Sequence, residues 1–296
     1  MNFNFLLSAK SMNTRRFMLP LTILIAAIAS AAPAAGETIE DSSLITVPVF
    51  SEQTYHCVFP RRYNPAGKDG ARFSVDGNES LIGFGSGFFL QSDSGPLFIT
   101  ARHTIHQDNL GGISIDGAMY KADDEDESIT RVGARTRVSG LAIKPTKIMI
   151  AEDLDLAIMQ LPEATIKTIN PRILKTLSSR PTVGMEAQMY GYPPIEDVNA
   201  EGATTTTLTP YGRQDLVQYA VSHVSPVELT LNGGLSDSTE GGFSGGPVLD
   251  EKGQVMGMVI RADRNQTRCI QISEIMKHMK KFDKEAVEYA DLQPDS

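Results

Sequence analysis

Short apolar segments alternate with turn-forming residues along most of this chain. Residues 81–90 are rich in glycine and phenylalanine, residues 97–101 are apolar, and a Ser-Asp-Ser-Gly segment at 92–95 separates them. Polar turn residues between two apolar runs are typical of a β-hairpin. A second hairpin is predicted for residues 248–249 and 254–260, joined by Asp-Glu-Lys-Gly at 250–253. The pattern therefore predicts antiparallel pairs of strands.

A helical period occurs only near the C-terminus. Apolar residues between Ile272 and Tyr289 recur with the i, i+3, i+4, i+7 spacing of an amphipathic helix, and Ser273 is a candidate N-cap. Many short strands separated by glycine, proline and aspartate favour a sandwich or barrels. We therefore predict an all-β fold with a C-terminal helix at about 272–289. The further predicted strands are 137–143, 147–151, 155–161, 186–190 and 216–224.

The first 35 residues have the pattern of an export signal. Lys10, Arg15 and Arg16 precede an apolar run at 17–28, and alanine, serine and proline follow. A buried helix or a retained anchor is the alternative, but prolines interrupt the segment and the run is short for a membrane span. We predict that residues 1–35 are removed, and that the protein is secreted or periplasmic with no membrane span afterwards.

The charge of the chain bears on its route and its partners. Arg15 and Arg16 also resemble a twin-arginine export motif, but adjacent arginines are common in ordinary signals, so the general route is favoured. The whole chain has a net charge of −9, and residues 36–296 retain 24 basic and 36 acidic residues, a net charge of −12. Phosphate contacts need clustered lysine and arginine, so a nucleic-acid partner is not expected.

The chain has two cysteines, Cys57 and Cys269. In an oxidising compartment they could form one disulfide that closes a loop of about two hundred residues. Two separate thiols, buried or free, are the alternative. The sequence leaves both open.

The segment Gly-Gly-Phe-Ser-Gly-Gly-Pro at residues 241–247 points to chemistry at Ser244. A serine hydroxyl is a poor nucleophile unless a base takes its proton and amide donors stabilise the resulting oxyanion. Glycines allow the backbone to turn sharply and to aim its N–H groups inward. A proline and a hairpin follow the serine, which does not suit the strand-turn-helix elbow of α/β-hydrolases. A glycine-rich turn with an unreactive serine is the alternative.

Two other segments supply the residue types that an activated serine needs. His103 comes directly after an apolar strand, and Asp155 begins another one. A histidine base needs a carboxylate that fixes its tautomer and orientation. Glu152 and Asp153 compete for that role, but Asp155 directly precedes a Leu-Ala-Ile run where a carboxylate could be buried. His106 has no accompanying carboxylate motif, so no metal site is expected.

Four segments in this order resemble the trypsin-like (chymotrypsin-fold) serine peptidases, and most of all the bacterial HtrA-like protease domain. The resemblance extends over about residues 80–270. The segments are Gly85-Ser86-Gly87-Phe88, Thr100-Ala101-Arg102-His103, Asp155-Leu156-Ala157 and the serine segment at 242–247.

The resemblance implies a fold of two six-stranded antiparallel β-barrels within a protease domain at 36–296. The N-terminal barrel would cover about 45–165, the C-terminal barrel about 180–270, and the active site would lie between them. HtrA enzymes continue into PDZ domains, but only 49 residues follow Pro247 in this 296-residue chain. A protease domain without PDZ domains is therefore expected.

The resemblance also implies a role for each site residue. Ser244 would be the nucleophile, His103 the general base and Asp155 the orienting carboxylate. The backbone amides of Gly242 and Ser244 would form the oxyanion hole. Protein or peptide substrates would be cut through an acyl-enzyme, with no metal or cofactor. A catalytically silent protease-fold binding protein, or a partner-activated peptidase with one dedicated target, is the alternative.

The sequence departs from the digestive trypsin-like enzymes at two positions. Those enzymes have a cysteine after the catalytic histidine and an aspartate before the serine, where this chain has Thr104 and Phe243. Without that aspartate a newly cut N-terminus has no partner, so activity is not expected to depend on clipping. The specificity pocket would be lined by residues 238–240 and 258–263, where no acidic pocket floor and no histidine for acidic side chains can be assigned. Arg261 or Glu240 could select charge there, and plain loop residues are the alternative. The sequence does not indicate an oligomeric state.

Overall fold

The computed structural model describes residues 44–63, 72–106, 113–115, 118–120, 128–193, 195–198, 204–207, 215–233, 242–262 and 265–288. The predicted signal peptide lies outside them. The helices are α1 (Arg102–Ile105), α2 (Glu163–Ile169) and α3 (Ile272–Glu285). The first strands are β1 (Val47–Tyr63), β2 (Arg72–Ser92), β3 (Gly95–Thr100), β4 (Ile113–Ile115), β5 (Ala118–Tyr120), β6 (Ser128–Val138), β7 (Leu141–Ile143), β8 (Lys147–Ile150) and β9 (Ala157–Gln160). The later strands are β10 (Ile173–Thr176), β11 (Glu186–Gly191), β12 (Ile195–Val198), β13 (Thr204–Thr207), β14 (Asp215–Val224), β15 (Glu228–Leu231), β16 (Pro247–Leu249), β17 (Gln254–Ala262), β18 (Thr267–Gln271) and β19 (Val287–Glu288).

The C-terminal half is a closed barrel of six antiparallel strands. Its order is β16-β11-β14-β15-β18-β17, and β17 pairs back with β16 to complete the circle. Closure removes the sheet edges, so every strand has a hydrogen-bonded neighbour on both sides. Apolar side chains that alternate along the strands fill the interior, among them Met189, Leu229 and Val259. The predicted C-terminal barrel is confirmed.

The N-terminal half is an antiparallel sheet in the order β7-β6-β1-β2-β3-β9-β8. Val47, Phe98 and Met159 are part of the apolar cluster on one face of this sheet. Within the described residues no ladder joins β7 to β8, and the outer edge of β8 instead pairs with β19. This half therefore has seven strands and one open side, where six strands in a barrel were predicted. The mostly β fold with a C-terminal helix is confirmed.

A shared core joins the two halves. Phe88 and Ile99 of the N-terminal sheet, Met258 of the C-terminal barrel, and Ile275 and Phe282 of α3 belong to one apolar cluster. Strand β10 lies between the halves and runs parallel to both β2 and β17. The residues at the junction therefore sit on a common packed support. None of the helices in the described part of the chain is long and apolar enough to cross a membrane.

Two predicted elements have different bounds in the structure. The segment 137–143 is not one strand but a hairpin, since Ser139 and Gly140 have φ values of 48° and 74° and turn the chain between β6 and β7. The predicted helix at 272–289 ends at Glu285, because Val287 pairs with β8. Ser273 is not its N-cap: Gln271 holds the N-cap position, and its side chain makes no capping hydrogen bond but accepts one from the Ser273 hydroxyl.

The two cysteines are free thiols and do not form the disulfide that the sequence allowed. Cys57 lies in β1 and Cys269 in β18, so each is buried in a different half of the protein. Burial, together with the nearby Glu79 carboxylate, raises the pKa of Cys57 to about 11. Burial likewise raises the pKa of Cys269. Both therefore remain protonated and act as small apolar core residues.

Candidate active site

His103 lies on the single-turn helix α1, directly after β3. The turn is closed by hydrogen bonds from the Thr104 amide to the Ala101 carbonyl and from the His106 amide to the Arg102 carbonyl. Thr104 and Ile105 are buried, whereas the His103 side chain is 39% exposed. The neighbouring residues therefore anchor the turn and leave the imidazole at the protein surface.

Asp155 lies in the loop between β8 and β9 and contacts His103 twice. Its Oδ2 is 2.5 Å from His103 Nδ1, and its Oδ1 accepts a hydrogen bond from the His103 amide at 2.9 Å. Arg102 Nη1 donates to the Ala151 carbonyl at 3.1 Å and ties this loop to α1. The carboxylate is thus held on both the ring and the backbone of His103.

The structure distinguishes between the three neighbouring acidic residues. Glu152 and Asp153 are exposed, and Asp153 Oδ1 lies 3.4 Å from His278 Nε2 on α3. Asp155 alone among the three is shown in contact with His103 within the described residues. The carboxylate that the sequence favoured is therefore the one that meets the histidine.

The charge state of Asp155 follows from its surroundings. Burial raises the pKa of Asp155, but hydrogen bonds from the His103 ring and amide and the charges of Arg102 and of His103 in its protonated form outweigh it. The pKa is held below the ordinary 3.8, so Asp155 is ionised at neutral pH. An ionised carboxylate at Nδ1 favours the tautomer with the proton on Nδ1. His103 Nε2 is then free to accept a proton.

Ser244 lies in a tight turn at residues 242–246, called the serine turn below, which leads into β16. The Gly246 amide donates to the Phe243 carbonyl at 2.8 Å, and the Gly245 amide donates to the Val259 carbonyl at 2.7 Å. Gly245 has a φ of 84°, and a Cβ there would lie 2.1 Å from the Ser86 carbonyl oxygen. Only glycine combines this conformation with so close an approach. The glycines of the motif therefore allow the turn to pack against β2.

The Ser244 turn packs beside the residue that follows His103. The Ser86 amide donates to the Ser244 carbonyl at 2.8 Å. A Cβ on Gly85 would lie 2.6 Å from that same carbonyl oxygen and 2.9 Å from Thr104 Oγ1. Within the described residues no hydrogen bond joins the Ser244 hydroxyl to His103. Such catalytic hydrogen bonds often form only when substrate is bound.

The backbone amides at the serine divide into two groups. Those of Gly245 and Gly246 are used within the protein, as described above. Among the described residues no hydrogen bond takes the amide of Gly242 or Ser244. These two are the amides that the sequence resemblance assigned to the oxyanion hole.

Phe243 anchors the serine turn in the C-terminal barrel. Its side chain is 1% exposed and belongs to the apolar core of that barrel. A Cβ on Gly191 would lie 2.6 Å from the Phe243 ring, so the ring occupies space that a side chain at 191 would need. The residue that departs from the digestive enzymes therefore replaces a charged anchor by an apolar one.

The sequence motifs assign no role to Ser86, although it lies within Gly85-Ser86-Gly87-Phe88. The Ser86 hydroxyl donates to the Gly242 carbonyl at 2.5 Å and accepts from the Tyr192 amide at 3.1 Å. The available signal was a serine between Gly85 and Gly87 in a strand. Its partners could not be read from sequence because they lie more than a hundred residues away in the chain.

Other predicted site residues are only partly described. Of the expected pocket walls, residues 238–240 lie outside the described residues, and 258–262 form part of β17, where Arg261 is exposed. His106 is buried. In the portion of the chain that the structure describes, no group of three or more His, Cys, Asp or Glu side chains could hold a metal ion.

Comparisons with known proteins identify the family. This chain is similar to a crystal structure of the inactive form of the Rv3671c protease. The two sequences are 16% identical, the match covers 68% of this chain and 84% of that chain, and the TM-score is 0.39. The active form of the same protease from M. tuberculosis is 16% identical, covers 80% of each chain, and has a TM-score of 0.40. No curated protein sequence matches the chain. The family model described as a trypsin-like peptidase domain matches residues 85–258, more than half of the 296 residues. This chain therefore belongs to the trypsin-like peptidase family and is a serine endopeptidase.

Proposed function

We propose that this protein hydrolyses peptide bonds through an acyl-enzyme on Ser244. His103 Nε2 takes the proton from the Ser244 hydroxyl as the oxygen attacks the substrate carbonyl, and the amides of Gly242 and Ser244 stabilise the oxyanion. The protonated His103 then gives this proton to the leaving amine. Water, activated by the same imidazole, hydrolyses the acyl-enzyme and restores the serine.

The contact of Asp155 Oδ2 with His103 Nδ1 at 2.5 Å carries the proposal. An ionised carboxylate in this place orients the ring and stabilises the imidazolium that forms during attack. Neither group needs a metal or a cofactor for this chemistry. The pairing of the Ser244 carbonyl with β2 supports the placement of the nucleophile beside the same histidine.

A fluorophosphonate probe tests this proposal directly, because it labels a serine only when a base and an oxyanion hole activate it. We expect the wild type to be labelled and Ser244→Ala and His103→Ala to lose labelling while they stay folded. Ser222→Ala and His223→Ala, on the exposed positions of β14, are matched controls and should be labelled like the wild type. A folded wild type without labelling would contradict the proposal and favour a silent binding protein or a partner-activated peptidase.

The range of substrates is tested with casein and with a mixture of unrelated peptides. Turnover of casein by the wild type but not by Ser244→Ala would indicate a general endopeptidase. Labelling without turnover of any generic substrate would instead indicate a peptidase with one dedicated target.

We also propose that the protein is exported and acts in the periplasm or outside the cell. The basic residues before an apolar run and the small residues at 31–35 support this proposal. Expression of the full chain in a bacterial host, followed by N-terminal sequencing of the fractionated protein, tests it. We expect a new N-terminus after Ala31, Ala34 or Ala35. An intact N-terminus in the cytoplasmic fraction would contradict export.

A further inference from the structure

The Ser86 side chain connects the two halves of the protein at the serine turn. It lies in β2 and is fully buried. Its hydroxyl donates to the Gly242 carbonyl at 2.5 Å and accepts from the Tyr192 amide at 3.1 Å. A hydroxyl has one proton to donate, and Ser86 uses that proton on Gly242.

The Ser86 backbone holds the same turn at a second point. Its amide donates to the Ser244 carbonyl at 2.8 Å, and its carbonyl accepts from Thr100 Oγ1 at 2.8 Å. Ser86 therefore contacts the residues on both sides of Phe243. Thr100 in turn fixes Ser86 to the end of β3, three residues before His103.

These hydrogen bonds constrain the backbone around the two amides that the sequence resemblance assigns to the oxyanion hole. In a trans peptide the N–H points opposite to the C=O of the same unit. The Gly246 amide holds the Phe243 carbonyl, so it also sets the direction of the Ser244 N–H. The Ser86 hydroxyl holds the Gly242 carbonyl, which lies in the same peptide unit as the Phe243 N–H. The Gly242 N–H belongs to the preceding peptide unit, so Ser86 acts on it indirectly, by limiting the ψ rotation of Gly242.

Gly242 needs such a constraint. Its φ is 88°, a conformation that glycine can adopt without steric strain. Glycine can also leave this conformation easily, because it has no Cβ. A side chain at position 242 could not restrain this backbone, because a Cβ on Gly242 would lie 2.0 Å from the Tyr192 carbonyl oxygen. The restraint must therefore come from a partner outside the turn, and Ser86 and the Tyr192 amide are the described groups that bind this carbonyl.

We propose that Ser86 is a positioning residue that holds the Gly242 carbonyl and thereby keeps the oxyanion hole formed in the absence of substrate. The inference rests on the proposed acyl-enzyme mechanism. Ser86 does not touch the substrate: it acts through Gly242. Its loss affects the step in which the oxyanion develops and leaves the binding of the probe nearly unchanged.

Fluorophosphonate labelling at several probe concentrations separates these two effects. The maximal labelling rate reports the attack step, and the half-saturating concentration reports binding. For Ser86→Ala we expect the maximal rate to fall about tenfold or more, short of the about 10² to 10³-fold loss that follows removal of an oxyanion donor itself. The half-saturating concentration should change by less than about twofold.

Thr46→Val is the matched control. Thr46 is fully buried and its hydroxyl donates at 2.8 Å to the Gly87 carbonyl, next to Ser86 but not in the serine turn. Both substitutions remove one buried hydroxyl that binds a main-chain carbonyl. Their thermal midpoints should fall by similar amounts, so that a difference in labelling rate reports the turn and not general stability.

Ser86→Cys serves as a second variant, because it keeps a donor on the same carbon, although a weaker and larger one. The maximal labelling rate of Ser86→Cys should lie between those of the wild type and Ser86→Ala. If Ser86→Ala does not fold, Ser86→Cys tests the inference in its place. A wild type that labels, with Ser86→Ala or Ser86→Cys as fast as Thr46→Val, would overturn this inference alone. A folded wild type that does not label would overturn the proposed function and this inference with it.

Discussion

The two halves of the protein hold their parts of the site by different means. The N-terminal half brings His103 and Asp155 together through side chains, across a contact of 2.5 Å between the ends of two strands. The C-terminal half shapes Ser244 and its neighbours through backbone conformation, with Gly245 at a φ of 84° and Phe243 as an apolar anchor. Activity should therefore depend on side-chain charge in the N-terminal part of the site. In the C-terminal part it should depend on packing and on the conformational freedom of the backbone.

Asp155→Asn should have the largest effect, because it removes the charge and keeps the shape. The asparagine cannot favour the correct His103 tautomer, and the loss in the related serine-protease template is about 10⁴ in kcat. We expect kcat to fall by about 10³ to 10⁴ while the circular dichroism spectrum is unchanged. Peptide hydrolysis measured beside the wild type checks this. Activity within tenfold of the wild type would show that charge does not govern the N-terminal part of the site.

Phe243→Ala tests the apolar anchor of the C-terminal half. Truncation of a fully buried phenylalanine costs about 3–5 kcal/mol of unfolding free energy, which urea denaturation measures. Phe89→Ala is the matched control, since Phe89 is equally buried in the N-terminal half. Both variants should lose stability, but only Phe243→Ala should also label more slowly per folded molecule. Equal labelling rates would mean that the anchor stabilises the barrel without shaping the turn.

Acid should weaken the N-terminal contact in a defined direction. The pKa of Asp155 is lower in the folded protein than its ordinary 3.8, so its contacts stabilise the fold fully at pH values well above 3.8. This contribution is lost as the pH falls through the folded pKa. Thermal midpoints of the wild type and Asp155→Asn, measured from about pH 6 to about pH 3, should converge at the acid end. A constant difference would contradict the assignment.

Asp153→Asn should have the smallest effect, although Asp153 is only two residues from Asp155. Its carboxylate is 77% exposed and lies 3.4 Å from His278 Nε2, away from the histidine of the site. Exposed ion pairs contribute about 0–1 kcal/mol. We expect kcat within about twofold of the wild type and a stability change within about 0.5 kcal/mol. A loss as large as that of Asp155→Asn would show that the whole loop, not one carboxylate, supports His103.

Local signals in the sequence were sufficient for the hairpins and for the residue types of the site. The turn at 250–253 and the strands around it follow from glycine, aspartate and alternating apolar residues, which act through near neighbours. The single strand predicted at 137–143 was wrong, because Ser139 and Gly140 both take positive φ values and turn the chain, as a Ser-Gly pair often does. The helix at 272 was extended too far, since pairing of Val287 with a distant strand ends it.

The sequence by itself determined that His103, an acidic residue near 155 and a glycine-flanked Ser244 occur in the order typical of this family. Only the tertiary structure decided that Asp155 and not Asp153 meets His103, and that the two cysteines lie in separate halves. The contact of Ser86 with Gly242 was also decided only by the tertiary structure, because this hydrogen bond joins residues that are 156 positions apart in the chain. Patterns along a chain report the conformation of neighbouring residues, whereas these contacts depend on how distant strands pack.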